Sequence, residues 1–241
     1  MQAENQTERE LTDMLTAKEL LGCAQALEPQ LVEWRRTLHR HPEVGFDLTQ
    51  TKALVKKALT EMGYEPKDCG KAGVIALAGG KKPGKTILLR ADMDALPFLI
   101  DGEKKNIHAC GHDAHSAMLL AAASELVGKV KRGTLRILFQ QGEETLKGAL
   151  AVIDAGVIED VDIALGLHIR PVQDIAYGEM SPAVRHASST FVNVVINGLS
   201  SHGARPHLGV NAIEAAAVAI NAITAIKINP IIPVSYTHLR A

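Results

Sequence analysis

The sequence predicts an α/β protein built on a largely parallel sheet with helices on both faces. Two observations carry that reading: short apolar runs bounded by Gly or Pro recur between residues 73 and 169, and stretches with apolar residues at helical spacing alternate with them. With 241 residues, 46% hydrophobic and 22% charged, the chain can bury the core of one full domain and part of a second.

The first elements are helical. "LEPQLVEWRRTLHRHPE" spaces Leu27, Leu31, Trp34 and Leu38 along one helix face, and "TQTKALVKKALTEMGY" does the same with Ala53, Leu54, Ala58, Leu59 and Met62 before a stop at Gly63. Four buried strands are then predicted, at "GVIALAG" (73–79), "TILLRAD" (86–92), "TLRILFQQ" (134–141) and "VDIALGLHI" (161–169). Helical patterns fall between them, in "HSAMLLAAASELVGK" and "GALAVIDAG". The texture changes near Pro182. "SSTFVNVVINGLSS" alternates like a strand with a turn at Asn197 and Gly198, and "GVNAIEAAAVAINAITAI" is a long apolar helix. One strand and one helix do not close a core, so residues 184–241 read as an incomplete second domain after a first one over 1–183.

Charge and cysteine usage exclude several partners. Lys plus Arg number 26 against 27 Asp plus Glu, so no field gathers nucleic acid or an anionic membrane. No apolar run approaches the ~20 residues of a membrane span, and the polar start "MQAENQTERELTDML" is not a secretory signal. Three distant cysteines, Cys23, Cys69 and Cys110, argue for a reducing compartment rather than a disulfide framework. The expected location is cytoplasmic.

Polar clusters sit directly after strands or before a helix: "RADMD" after "TILL", "QQGEE" after "TLRILF", "LHI" after "IALG", and "HACGHDAH" ahead of the helix at Ser116. In open α/β sheets ligands bind beyond the carboxyl ends of the strands, so these clusters can share one cleft. Cys110 and His112 are two residues apart, which on an extended backbone turns both side chains the same way, with Asp113 free to cap the following helix. Thiolate and imidazole suit zinc or a similar metal, and His108, Asp113 and His115 crowd around them. The same residues also fit a buried thiol beside loop histidines, or a Cys110 nucleophile activated by His112 or His115. Adjacent carboxylates at a strand end are commonly just solvated, but they point apart, which lets Glu144 bind metal while Glu143 takes a proton from metal-bound water. His168 reads as a hydrogen-bonded core residue or a further ligand, and Asp92 and Asp94 as part of a strand-end turn closed by Pro97 or, for one of them, as the partner that orients a ligand histidine. In "SSHGARPH", His202, Arg205 and His207 suit a substrate carboxylate or developing oxyanion, or simply a polar surface connection.

Taken in order, "LHRHPEVGF", "RADMDALP", "HACGHDAH", "GEE", "GLHI" and "SSHGARPH" resemble the metal-dependent amidohydrolases of the aminoacylase and carboxypeptidase-like metallopeptidase family, in the branch of hippurate hydrolases, N-acetyldiaminopimelate deacetylases and indoleacetyl-amino acid hydrolases. The likeness runs from about Leu27 to Ile232. It implies a zinc-peptidase-like catalytic domain with a partial ferredoxin-like α+β lid, the lid also serving to form a homodimer. It implies two divalent ions per active site, zinc, manganese or cobalt, with Cys110, His112, Glu144 and His168 as ligands and no separate cofactor-binding residues. Glu143 is the implied general base, and His202 reaches an active site, its own or the partner subunit's, to stabilise the tetrahedral intermediate. The implied substrates are N-acyl amino acids or small peptides, whose amide bond is cleaved by metal-bound hydroxide. The alternative is a noncatalytic, metal-binding, self-associating fragment of such an enzyme. Many relatives of this kind carry more residues than "FLIDGEKKNI" before the "HACGHD" motif, and family members continue past this length to a last metal-binding histidine. The ending "SYTHLRA" departs from the expected strand, so the chain reads as truncated at its C-terminus.

Overall fold

The computed structural model describes residues 16–182 and 193–225. The chain divides into two compact units, Met1–Pro171 and Val172–Ala241. The expected boundary at 183/184, residues 188–192 of the expected strand, and the tail with His238 lie outside the described residues.

The first unit contains, in order, α1 (Ala17–Arg40), α2 (Thr49–Glu61), β1 (Lys67–Cys69), β2 (Gly73–Gly79), β3 (Lys82–Asp92), β4 (Leu96–Ile100), β5 (Glu103–Ile107), α3 (His112–Leu126), β6 (Arg132–Gln140), α4 (Gly148–Asp154) and β7 (Ile163–Gly166). Five strands form one sheet in the order β1-β2-β6-β3-β7. β3 is parallel to both β6 and β7, and only β2 runs against the others. The predicted α/β class, a mixed and mostly parallel sheet flanked by helices, is what the chain adopts.

Period-two alternation explains why both faces are covered. Val74, Ala76, Ala91, Leu135, Ile137 and Phe139 turn to one face and pack against Val55 and Leu59 of α2 and Leu120 and Ala123 of α3. Leu88 and Leu138 turn to the other face, against Val152 of α4. Ile137 is fully buried at the centre of the first cluster. Ile137→Ala is expected to lower stability by about 2–5 kcal/mol, read as a lower urea midpoint with an unchanged slope.

Several elements depart from the sequence reading. α1 begins at Ala17, ten residues before Leu27, because Thr16 and Glu19 form a reciprocal capping box. The N-terminus of α2 is closed from outside: the Glu43 carboxylate accepts from Gln50 N–H at 3.0 Å and Thr51 N–H at 2.8 Å. "HPEVGF" is therefore partly a cap. "FLIDGEKKNI" contributes to an antiparallel hairpin, β4–β5, turned by Asp101 and Gly102 with φ of 53° and 80°. The sequence predicts a buried strand at β7, but Ile163 and Leu165 are 39% and 56% exposed, because β7 is the edge strand.

The second unit is described by itself. It holds α5 (Ala212–Thr224), N-capped by Asn211 through Ile213 N–H at 3.0 Å, and an isolated bridge between Leu199 and Val210. Residues 193–198 form no strand, so the described part of the expected opening strand carries no ladder before Leu199. The apolar side chains Ile213, Val218 and Ile220 of α5 are exposed. Among the described residues no helix is long and apolar enough to cross a membrane.

Candidate metal centre

Three strand ends and one helix start build the site. β3 ends at Asp92 opposite Gln140 of β6, and Gly166 of β7 pairs with Arg90, so "DMD", "GEE" and "LHI" all emerge at one edge of the sheet. α3 begins at the same edge with His112 as its first residue. The backbone between Cys110 and His112 is not extended, as the spacing suggested. Gly111 takes a left-handed conformation, φ 82°, and folds the thiol back beside the imidazole. Nor is Asp113 the helix cap. It lies inside the first turn, where His39 Nδ1 at 2.7 Å and Arg35 Nε at 3.1 Å pair with it from α1. That anchorage escapes sequence reading, because a pairing 74 residues apart leaves no local pattern.

His112 is the hub. Its Nε2 is 3.6 Å from Asp92 Oδ2, 3.9 Å from Glu143 Oε2 and 3.7 Å from Glu144 Oε1, while its Nδ1 is 3.5 Å from Asp94 Oδ1. Burial opposes its protonation, but the Asp94 and Cys110 contacts and the charge of Asp92 outweigh that and push its pKa up to about 10. Burial likewise works against ionisation of Asp92, yet the His115 hydrogen bond and Arg90 hold its pKa at about 2. Burial raises the Glu144 carboxyl and lowers the His168 imidazole.

The two glutamates do not diverge. They lie beyond β6 in a turn closed by Leu146 N–H to Glu143 O, so both carboxylates reach the same imidazole. Asp94 fixes that turn: its Oδ1 accepts from Glu143 N–H at 3.0 Å and its Oδ2 from Glu144 N–H at 3.1 Å. One carboxylate thus faces His112 and holds both glutamates, a role that matches the orienting partner expected of Asp92 or Asp94.

Three donor groups meet at His112, and two of them are built from the expected site residues. Cys110, His112 and His168 place one ligand atom each within 4.8 Å of one another, and so do His112, Glu143 and Glu144. Both ring nitrogens of His112 and Oε1 of Glu144 are buried without a hydrogen-bond partner. Buried polar atoms left so are rare, and thiolate, imidazole and carboxylate are the donors of zinc-like ions, so these residues fit a divalent cation. His168 Nε2 lies 3.4 Å from Cys110 Sγ, but His168 is exposed rather than a core residue. His108 is buried and stacks on His39 at 6.5 Å without joining a donor group. His202 lies in the second unit, in a turn where its Nδ1 accepts from Ala204 N–H at 3.2 Å.

Comparison with known proteins meets these observations. The chain is 37% identical over 236 residues to N-acetyl-L-cysteine deacetylase of Bacillus subtilis, covering 91% of this chain and 56% of the relative. It is 36% identical over 216 residues to N-acyl-L-amino acid amidohydrolase of Geobacillus stearothermophilus, covering 83% and 57%. It spans little more than half the length of these relatives. A solved Bacillus subtilis protein, described as a dinuclear metal binding peptidase from the M20 family, superimposes with a TM-score of 0.57 at 36% identity, over 61% of this chain and 44% of that one. Residues 88–236, which contain "ADMDALP", "HACGHD", "GEE" and "GLH", match the family itself. The chain belongs to peptidase family M20/M25/M40.

Proposed function

We propose that this chain carries the metal centre and general base of an amidohydrolase acting on N-acyl amino acids or small peptides. The observation that carries the proposal is His112, buried with neither ring nitrogen hydrogen-bonded and ringed by thiol, imidazole and carboxylate donors. Cys110, His112, Glu144 and His168 would hold the metal. The dinuclear description of the Bacillus subtilis structure supports two cations, with zinc, manganese or cobalt as candidates. Bound there, divalent ions polarise an amide carbonyl and lower the pKa of water to ~7.

Glu143 is the general base. Its side chain is 38% exposed against 19% for Glu144, so it is the carboxylate that reaches water while Glu144 is turned inward. It takes the proton of the attacking water and delivers it to the leaving amine, from a backbone that Asp94 keeps in place. The names of the relatives support N-acyl amino acids as substrates. The second unit would be the lid, with His202 stabilising the oxyanion, and the exposed apolar side chains of α5 support a homodimer formed through it. The free state of all three cysteines supports a reducing, cytoplasmic setting.

The test loads the chain with zinc, manganese or cobalt and measures amino acid released from N-acetyl and N-benzoyl substrates. Hydrolysis that a chelator abolishes and added metal restores is the expected result. Turnover that survives chelation points instead to Cys110 as a nucleophile, and metal uptake without turnover to a noncatalytic, self-associating protein. Either outcome overturns the proposal.

A further inference from the structure

A third donor group, Asp92, His112 and His115, also brings its ligand atoms within 4.8 Å, yet the hydrogen bonds of His115 assign it another task. Ile169 N–H donates to His115 Nε2 at 2.9 Å, so that nitrogen carries no proton. The ring proton therefore sits on Nδ1 and is donated to Asp92 Oδ1 at 2.6 Å. Both nitrogens are engaged, and neither keeps a lone pair for a cation. Asp92 is itself fixed, its Oδ2 accepting from Arg90 Nη1 at 2.7 Å and its backbone oxygen from Ser116 Oγ at 2.8 Å.

The far end of this relay is the residue after His168. Ile169 O accepts the Nδ1 proton of His168 at 2.6 Å, which leaves the His168 Nε2 lone pair facing Cys110 Sγ at 3.4 Å. The Ile169 side chain lies over Gly111, where a Cβ would come within 2.0 Å of its Cδ1. The ladder between β3 and β7 stops at Gly166, two residues short of His168. The buried His115 thus supplies the support that the exposed strand end lacks.

We propose that His115 is a positioning residue rather than a ligand: with Asp92 it holds Ile169 so that His168 presents Nε2 to the cation beside Cys110. The proposal rests on the metal reading above, and two readouts separate their failures. His115→Gln keeps an acceptor for Ile169 N–H, whereas His115→Asn keeps only the donor to Asp92. Cobalt alone is titrated into each chain while the thiolate-to-cobalt absorption is followed. The Asn variant is expected to bind cobalt about 10–100-fold more weakly than the unsubstituted chain, with the same number of ions at saturation. The Gln variant is expected to retain most of the affinity. In the metal-free chain, nitrogen–proton correlation spectra are expected to give both His115 and His168 as Nδ1–H tautomers, with the His168 signature lost in the Asn variant. Fewer ions at saturation in either variant would make His115 a ligand and overturn the proposal. An Nε2–H tautomer of His115 in the unsubstituted chain overturns it without any variant, and so does an Asn variant that binds like the parent. If the parent shows no thiolate-to-cobalt band, it is the metal reading that falls.

Discussion

Glu143→Gln is expected to lower the rate of amide hydrolysis by about 10²–10⁴-fold while leaving metal content unchanged. The substitution keeps size, shape and the backbone N–H that Asp94 accepts, and removes only the ability to take a proton. Glu143 is the better-exposed member of the pair, so its carboxylate can meet water without giving up the burial that suits Glu144 as a ligand. The measurement is kcat on an N-acetyl amino acid beside metal stoichiometry by elemental analysis. A Gln variant with parental kcat removes Glu143 from the chemistry. Loss of metal together with rate would instead make it a ligand.

His112→Ala is expected to abolish the metal centre and to destabilise the metal-free chain by about 3–5 kcal/mol, the cost of removing one partner from a buried charge network. His112 belongs to all three donor groups among the described residues, so none survives its loss. In the metal-free chain the imidazolium is the cation that Asp92, Asp94, Glu143 and Glu144 all face within 3.9 Å. Its pKa, about 10, lies above the ordinary 6.5. The folded state therefore holds this proton more tightly than the unfolded one, and the stability linked to it is present in full below pH 6.5 and lost as pH rises through about 10. Urea melts of the metal-free parent and variant across that range should converge at the alkaline end. A constant gap would refute the charge role. Metal and proton compete for the same nitrogens, so cobalt affinity should rise with pH in the parent.

Strands 73–79 and 86–92, their helices, and the gathering of "DMD", "GEE" and "LHI" at one sheet edge are all legible in the order of residues. Each depends on local periodicity plus the rule that parallel strands bring their carboxyl ends together. Cys110, His112, Glu144 and His168 stand out in the sequence as possible donors, two ahead of a helix and two just beyond strands, and their ligand roles come from the family resemblance. The Asp101–Gly102 hairpin and the Thr16–Glu19 capping box also carry local signals, in an Asp-Gly pair and a Thr-x-x-Glu spacing.

Other features have no local signature. That Glu143 and Glu144 converge on one imidazole depends on a turn held by Asp94, some fifty residues away. The pairing of Asp113 with Arg35 and His39 depends on how α1 packs on α3. Likewise, His115 becomes a support for Ile169 only because β7 docks beside β3. Residue types and their spacing name the donors a metal needs, since that chemistry belongs to the side chains themselves. Which donor keeps a free lone pair is set by the hydrogen bonds around it, and those form between segments that only the folded backbone brings together.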